Sequence, residues 1–199
     1  MKIGVFGGTF DPPHLGHLIL AAEAHHQLSL DRVLFVLTPD PPHKIGVPVS
    51  PWRYRMDLLM AALQDNAAFE LSRVDIDRPA PHYAVDTIHR LIDNYPGAEM
   101  ILLIGGDSLN ELPDWKNPQE LVAHCASLGV MPRPGATVDL DTLEKSIPGI
   151  RSKVHWIKAP LIEISSSEIR FRVASGRPYR YFIPPAVYSL IRDHNIYQA

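Results

Sequence analysis

Residues 2–17 read KIGVFGGTFDPPHLGH, and this stretch indicates how the chain begins to fold. The apolar run from Lys2 to Phe6 stops at two glycines, which is typical of a short buried strand. From Gly16 to Leu28 the apolar residues recur at the spacing of one helix face. The sequence therefore predicts a strand, a glycine-rich loop and a helix in succession.

Apolar runs and helical patterns alternate along the rest of the chain. Further strands are predicted at residues 32–37, 69–76, 100–104, 128–131 and 154–157. Helices are predicted at residues 51–63 (with Ser50 as the N-cap), 83–94, 118–124, 166–175 and 185–193. Strands that are apolar throughout and alternate with helices favour a parallel sheet covered on both faces. Because no linker divides the chain, we predict one α/β domain over residues 1–199, a Rossmann-like doubly wound fold.

Composition and charge exclude several classes of protein. The 199 residues carry a net charge of -3, whereas general nucleic-acid binders have a basic excess. The lone Cys125 cannot form an internal disulfide, and its apolar neighbours predict a buried thiol. The sequence shows neither a signal peptide nor an apolar run of about 20 residues. We therefore expect a cytoplasmic protein with no membrane or nucleic-acid partner.

The loop between the first strand and the first helix has the residues of an anion site. Gly7 and Gly8 allow the backbone to approach a ligand, and the helix that begins near Gly16 directs its N–H groups to the same place. His14 and His17 lie three residues apart across the helix start, so both rings can face one point. The G-x-G-x-x-G and P-loop patterns are both absent here.

This loop resembles the Gly-x-Phe-x-Pro-x-His-x-Gly-His signature of the adenylyltransferase-type nucleotidyltransferases. The matching residues are Gly8, Phe10, Pro12, His14, Gly16 and His17. The resemblance implies a single nucleotidyltransferase domain in which His14 and His17 act as catalytic residues. They would donate hydrogen bonds to phosphate oxygens as charge builds up, without a covalent enzyme intermediate.

A second motif, near the end of the chain, reads ISSSEIR from Ile164 to Arg170. Ser165 with Glu168 three residues later has the pattern of a capping box, which by itself predicts only a well-capped helix. The same helix start would present hydroxyl and N–H groups to an anion, with Arg170 about a turn further along. The family carries Ile-Ser-Ser-Thr-x-Ile-Arg at this place, so Ser167 stands where threonine is usual.

The two motifs together imply an ATP site that the helices from about residue 165 complete. Thr9 and the Gly8 backbone are expected to hold the α-phosphate region, while Ser166, Lys44 and the catalytic Arg170 hold the leaving pyrophosphate. The ATP-binding residues implied by the resemblance are Gly7, Gly8, Thr9, Phe10, His14, His17, Gly105, Asp107, Arg133, Ser165, Ser166 and Arg170. Mg²⁺ is expected as the cofactor, held mainly through the ATP phosphates and not by a protein metal site.

Three segments resemble the bacterial nicotinate-mononucleotide enzymes of that family. Residues 40–44 read DPPHK, like their Pro-Pro-His-Lys loop, and residues 131–135 read MPRPG, like their Arg-Pro-Gly element. Residues 104–108 followed by Trp115 resemble their Gly-x-Asp…Trp segment. The resemblance implies adenylyl transfer from ATP to nicotinate mononucleotide, giving deamido-NAD and pyrophosphate in NAD biosynthesis. Trp115 would then stack on the pyridine ring, or else close the loop against the core.

The chain departs from the family at one position of the substrate site. Tyr83 and Thr87 match a Tyr-Thr-x-x-Thr pattern near the pyridine carboxylate, but Ala84 replaces the first threonine. If the family binds this carboxylate through backbone N–H groups, the preference for nicotinate survives; if it uses the hydroxyl, the preference weakens. Lys116 adds a positive charge that favours an acidic substrate or faces water. The implied substrate-binding residues are Thr9, Lys44, Tyr83, Thr87, Asp107 and Trp115.

Three alternatives to this function stay open. They are adenylylation of nicotinamide mononucleotide, adenylylation of phosphopantetheine, and a non-catalytic nucleotide sensor, which would be expected to lack the histidine pair. The other histidines show no pattern of metal ligands, so we predict no zinc site among His25, His26, His82, His89, His124, His155 and His194. The sequence leaves the oligomeric state open, and a homo-oligomer is compatible with it.

Overall fold

The structure is a computed structural model that describes residues 1–41, 49–132, 137–160 and 162–198. Six parallel strands form one sheet, with the bounds β1 (Lys2–Gly8), β2 (Arg32–Leu37), β3 (Phe69–Ser72), β4 (Glu99–Gly105), β5 (Ser127–Met131) and β6 (Val154–Trp156). Successive side chains of β2 enter different apolar clusters: Val33 and Phe35 lie in one, Leu34 and Val36 in the other. Both faces of the strand are therefore buried, which explains its continuous apolar sequence.

The strand order across the sheet is β3-β2-β1-β4-β5-β6. The chain moves outward from β1 to β3, then crosses to the other side of β1 and continues outward to β6. This is the order of doubly wound nucleotide-binding folds, and it confirms the predicted fold class. The order reverses between β1 and β4, which pair directly with Ile3 opposite Met100. In such sheets the ligand binds beyond the carboxyl ends of the strands at this reversal.

Helices cover the sheet on both faces. Within the described ranges they are α1 (Leu15–Gln27), α2 (Trp52–Leu63), α3 (Ala84–Asn94), α4 (Gly106–Glu111), α5 (Pro118–His124), α6 (Leu140–Ser146), α7 (Ile150–Lys153), α8 (Ser166–Ala174) and α9 (Pro185–Asp193). None of these helices is long and apolar enough to cross a membrane. One cluster joins Leu20 of α1 to Leu63 of α2, and the opposite cluster joins Ile88 of α3 to Leu121 of α5.

The two C-terminal helices pack on α2. Leu58 of α2 is fully buried in a third cluster with Ile169 of α8 and Ile191 of α9. α2 therefore packs on two sides: Leu58 faces the C-terminal helices, and Leu59 belongs to the cluster that faces the sheet. This packing fixes the position of α8, whose first turn carries the second sequence motif.

Several boundaries differ from the prediction by one residue or more, and two of these differences have local polar reasons. β3 ends at Ser72 and not at residue 76, because the next residues form a turn in which the Asp77 N–H donates to the carbonyl of Arg73 at 2.9 Å. α2 begins at Trp52, one residue late, and Ser50 does not cap it through its side chain. The N–H of Ser50 instead donates to a buried carboxylate of the loop after β1.

Three short helices escaped prediction. They are α4, α6 and α7, of 6, 7 and 4 residues. A helix of one or two turns shows too little apolar periodicity to be recognised in a sequence. Cys125, by contrast, is buried as predicted, and burial raises the pKa of its thiol to about 12, so it is not a nucleophile at neutral pH.

Candidate active site

A cleft of about 1820 Å³ opens at the carboxyl ends of β1 and β4, where the strand order reverses. Pockets that hold a single drug-sized ligand measure roughly 300–1000 Å³, so this cleft has room for two ligands. The predicted site residues that line it are Gly7, Gly8, Thr9, His14, His17, Tyr83, Thr87, Gly105, Asp107, Trp115 and Ser165. Both sequence motifs thus meet at one place in the fold.

His14 and His17 form a stacked pair at the start of α1. Their ring centroids lie 3.7 Å apart and their planes differ by 24°. His14 is the N-cap residue, and its backbone N–H donates to Nδ1 of His17 at 3.1 Å. Because Nδ1 accepts this bond, the neutral His17 ring carries its proton on Nε2 and is a donor there. Imidazole donors beside a helix N-terminus suit the binding of phosphate oxygens.

The two glycines of the first motif differ in their surroundings. Gly7 lines the cleft, and a Cβ added to it would meet no atom of the described residues within 4 Å. A Cβ added to Gly8 would lie only 2.8 Å from the ring of Phe10. Phe10 is buried with φ of 48°, and its ring packs edge-on against His17 at 5.1 Å. Gly7 therefore leaves room for a ligand, whereas Gly8 leaves room for the aromatic ring that supports His17.

Asp11 holds the same loop from behind. Its buried carboxylate accepts a hydrogen bond from the Ser50 N–H at 3.1 Å and from the Tyr197 hydroxyl at 2.7 Å. Burial, with the negative charge of Asp11 close by, raises the pKa of Tyr197, so its hydroxyl stays protonated and continues to donate. Sequence reasoning missed both residues, because they lie 186 positions apart and no spacing rule connects them.

Arg55 is a fully buried arginine that joins the loops after β1 and β2. It donates to four backbone carbonyls at 2.6 to 2.9 Å, those of Thr9, Thr38, Pro39 and Ser50. Desolvation by burial lowers the pKa of its guanidinium, and the charge of Asp11 acts in the opposite direction. Sequence reasoning missed Arg55 as well, since its partners are backbone atoms that carry no side-chain signature.

The second motif contacts the first across the cleft edge. Ser166 Oγ donates to the carbonyl of Pro12 at 2.8 Å, and Arg170 donates to the carbonyl of Asp11 at 2.7 Å. Ser166 and Arg170, like Phe10, do not themselves line the cleft. The predicted ATP contacts of all three residues therefore stay predictions. The structure does show that Ser166 and Arg170 hydrogen-bond to the loop that precedes His14.

The capping box predicted at the start of α8 forms only in part. Ser165 Oγ accepts from the Glu168 N–H at 3.2 Å, as that pattern requires. The carboxylate of Glu168 does not return to the cap, because it pairs with Arg172 one turn along at 2.7 Å. Ser165 still closes the helix and lines the cleft.

A local polar network supports the other end of the cleft. Thr87 Oγ1 donates to Asp75 at 2.8 Å, and Arg78 pairs with the same carboxylate at 2.8 Å. Both charged side chains are almost completely buried, and Arg78 also donates to the carbonyl of Tyr83 at 3.3 Å. The hydroxyl of Thr87 is thus bound to the protein itself. Sequence reasoning predicted Tyr83 and Thr87 but missed Asp75 and Arg78.

Trp115 also lines the cleft, as do Asp107 and the exposed Lys116. Its ring is partly buried and packs against the cluster between the sheet and α3. It also lines the cleft, so both expectations for this residue, a plug and a stacking surface, are compatible with its position. Gly105 ends β4 as the N-cap residue of α4, and Asp107 lies in the first turn of that helix.

Two predicted residues lie outside the described part of the chain. Lys44 belongs to the segment 42–48 with most of the Pro-Pro-His-Lys loop, and Arg133 belongs to the segment 133–136. Their proposed contacts with phosphate or nucleotide therefore stay predictions. The flanking residues Pro41 and Pro132 do line the cleft.

Known proteins with related names match this chain over most or all of its length. Residues 5–172 match the cytidylyltransferase-like family. A protein of Thermomicrobium roseum is 46% identical over 197 residues, covering 99% of this chain and 92% of that relative. A protein of Thermus thermophilus is 39% identical over 198 residues, covering 100% of both. Each of the two carries the name "Probable nicotinate-nucleotide adenylyltransferase".

Solved structures share the fold at lower identity. The nicotinic acid mononucleotide adenylyltransferase of Plasmodium falciparum complexed with NaAD superimposes with a TM-score of 0.80, covering 98% of this chain and 97% of that one at 18% identity. The same enzyme complexed with APC gives a TM-score of 0.78. At this level of identity the match supports the fold, and the sequence relatives carry the argument about activity.

Proposed function

The chain belongs to the nicotinate-nucleotide adenylyltransferases of the cytidylyltransferase-like family, and we propose on this basis that it adenylylates nicotinate mononucleotide. A phosphate oxygen of the mononucleotide attacks the α-phosphorus of ATP. A new P–O bond forms, the bond between the α-phosphorus and the bridging oxygen breaks, and pyrophosphate leaves. The products are deamido-NAD and pyrophosphate.

The stacked histidine pair, in the cleft that Gly7 also lines, is the observation that carries this proposal. Transfer between phosphates depends on positioning and on stabilising charge, and less on covalent chemistry by the protein. His17 offers an Nε2 donor, and the start of α1 adds its positive end. Gly7 leaves the space in which a phosphate can approach both groups. These are the features needed at an α-phosphate whose charge increases in the transition state.

The buried groups behind the loop hold the histidines in place before the nucleotide arrives. Arg55 fixes the carbonyls of Thr9 and Thr38, and Arg170 fixes that of Asp11. A site that is already positioned loses little free energy to reorganisation during the reaction. We assign Arg55, Asp11 and Arg170 positioning roles on these contacts, and Arg170 the further role of a phosphate contact predicted from its motif.

We assign recognition of the nicotinate carboxylate to backbone N–H groups at the start of α3. The hydroxyl of Thr87 donates to Asp75, and Ala84 has no hydroxyl to offer. The first turn of α3 lies on the cleft wall at Tyr83 and Ala84, and Tyr83 caps it without a side-chain bond. The free amides of a helix start bind a carboxylate well. We assign Trp115, which lines the same cleft, the role of stacking on the pyridine ring.

Mg²⁺ is the proposed cofactor, bound through the nucleotide. The carboxylate of Asp11 is bound to Ser50 and Tyr197, and that of Asp75 to Arg78 and Thr87. The described cleft residues form no cluster of three close ligands. Such a donor set fits a metal held by phosphate oxygens and water. When bound, the ion supplies positive charge to the phosphates.

Pyrophosphate release tests this function directly. The purified chain is mixed with ATP and Mg²⁺, and release is followed with nicotinate mononucleotide and, in parallel, with nicotinamide mononucleotide. We expect fast release with the acid and slow release with the amide. Equal rates would overturn the proposed recognition at α3 and leave the enzyme class standing.

Absence of release with both pyridine nucleotides would overturn the proposed activity. Phosphopantetheine then tests the remaining enzymatic alternative in the same assay. ATP binding by equilibrium dialysis without turnover on any of the three acceptors would favour the nucleotide sensor.

A further inference from the structure

Two helices bring three potential metal ligands together on the surface of the protein. His89 lies on α3, while Glu120 and His124 lie one turn apart on α5. One candidate ligand atom from each residue lies within 4.8 Å of the other two. We call His89, Glu120 and His124 the interhelix cluster. It forms because α3 and α5 pack side by side, which the spacing of histidines in the sequence does not reveal.

The contacts of His124 prepare its ring for a metal. Its Nδ1 lies 2.8 Å from the backbone carbonyl of Glu120, an atom that only accepts hydrogen bonds. The proton of the neutral ring therefore lies on Nδ1, and Nε2 keeps its lone pair. A histidine that ligates a metal usually donates its other N–H to a carbonyl or carboxylate in this way. His124 is exposed, so metal can reach it.

His89 contributes a buried nitrogen that its neighbours do not satisfy. Its Nε2 lies 3.4 Å from Oε1 of Glu120 and makes no hydrogen bond to any described residue. The rings of His89 and His124 meet edge to face, 4.4 Å between centroids. A buried ring nitrogen that faces a carboxylate but makes no hydrogen bond requires an explanation, and an ion between these three groups provides one.

The carboxylate of the cluster is also held in position. Oε2 of Glu120 accepts from the side-chain amide of Asn117 at 2.9 Å, which leaves Oε1 towards His89. Such a contact outside the ligand set orients a ligand and raises metal affinity. Glu120 and His124 are four residues apart on one helix, so they share a face.

We propose that the interhelix cluster is a zinc-class metal site that joins α3 to α5. Two imidazoles and one carboxylate suit Zn²⁺, with water as the fourth ligand, whereas Mg²⁺ and Ca²⁺ prefer oxygen ligands. The bound ion links two helices that otherwise meet through side-chain packing, so it stabilises the folded state. The site is independent of the adenylyl-transfer reaction, since none of its residues lines the cleft.

A zinc titration against a competing chromophoric chelator tests this proposal. The native chain is compared with His124→Ala and His89→Ala, and with His155→Ala as the control, because His155 is an exposed histidine on β6 outside the cluster. The cleft histidines are unchanged in all four proteins, so the difference between titrations reports the cluster alone. We expect each cluster variant to bind zinc at this site at least about tenfold more weakly, since even outer contacts cost that much. The control is expected to match the native chain.

Thermal unfolding gives a second readout. Zinc in excess is expected to raise the Tm of the native chain and of His155→Ala, and to leave the Tm of His124→Ala unchanged relative to EDTA. Superimposable zinc titrations of native and cluster-variant proteins would overturn the proposal. An equal loss of zinc affinity in His155→Ala would also overturn it. So would a difference in Tm between the native chain and His89→Ala that is the same with zinc and with EDTA.

Discussion

Two regions of the cleft are built differently: the histidine end, around His14 and His17, and the pyridine end, around Tyr83 and Thr87. At the histidine end, contacts come from distant parts of the chain: Tyr197 reaches Asp11 over 186 residues, and Arg170 reaches it over 159. At the pyridine end, Asp75, Arg78 and Thr87 lie within 12 residues of each other. The histidine end thus depends on contacts between the first and last segments of the chain, whereas the pyridine end is held by contacts within one short segment. This difference predicts that chemistry and substrate choice respond to different substitutions.

Replacing Arg55 tests the long-range support most severely. Arg55→Met leaves four carbonyls without their donor in a buried place, and each such loss costs about 1–3 kcal/mol. We expect the free energy of unfolding to fall by about 3 kcal/mol or more, with a large loss of kcat. Urea unfolding measures the free energy of unfolding, and pyrophosphate release measures kcat. Arg53→Met, on the exposed side of the same helix, is the control. Equal, small effects of both variants would remove the claim that Arg55 organises the site.

Gly7→Ala tests ligand space without disturbing the fold. The added methyl group meets no atom of the described part of the chain within 4 Å, so stability is expected to be unchanged. The methyl group displaces the phosphate from its position, and kcat/KM for ATP should fall by roughly a hundredfold. Gly8→Ala is the matched comparison, because its methyl group meets the ring of Phe10 and should cost about 1–3 kcal/mol of stability. A loss of stability with Gly7→Ala and unchanged ATP kinetics would refute this division of roles.

Tyr197→Phe tests the contact that spans the chain. It removes one hydrogen bond to a buried carboxylate, so we expect about 1.5–3 kcal/mol less stability and a lower kcat, with KM for the mononucleotide unchanged. Tyr181→Phe is the control, because Tyr181 is 83% exposed. A change confined to KM for the mononucleotide would contradict this prediction, because it would show that Tyr197 affects binding of the mononucleotide and not the histidine end of the cleft.

Thr87→Val has the smallest expected effect and probes the local unit. The substitution keeps the shape but removes the hydroxyl that donates to Asp75, which costs about 1.5 kcal/mol because Arg78 still pairs with this carboxylate. We expect a few-fold higher KM for nicotinate mononucleotide and an unchanged KM for ATP. Steady-state kinetics with each substrate varied in turn measures both, with the exposed Thr142→Val as the control. Equal changes in the two KM values would show that the ends of the cleft are not separate.

Most of the fold could be predicted because its signals are local. The run from Arg32 to Leu37 is apolar on both faces, and the order of strands and helices then implies a parallel sheet. The motif histidines could be located because the end of β1 and the start of α1 are adjacent in sequence. The structure indeed brings these rings together.

The remaining features depend on contacts between distant segments. Arg55 resembles any charged residue of a surface helix until the carbonyls around it are known. His89 and His124 form a cluster only after α3 and α5 pack. Asp11 lies inside the recognised motif at a position the signature leaves open, and its partners are Ser50, two residues before α2, and Tyr197 near the C-terminus. Side chains whose partners are backbone atoms or remote residues leave no periodic pattern in a sequence.

The histidine pair is the central claim, and His17→Ala tests it most directly. Pyrophosphate release with saturating ATP and nicotinate mononucleotide is measured beside the dissociation constant for ATP, with His155→Ala as the control. Loss of a donor to the developing charge predicts a turnover lower by about a hundredfold or more, while ATP binding changes only slightly. Turnover equal to that of the control would contradict a role for the pair in catalysis, and would require another donor at the α-phosphate.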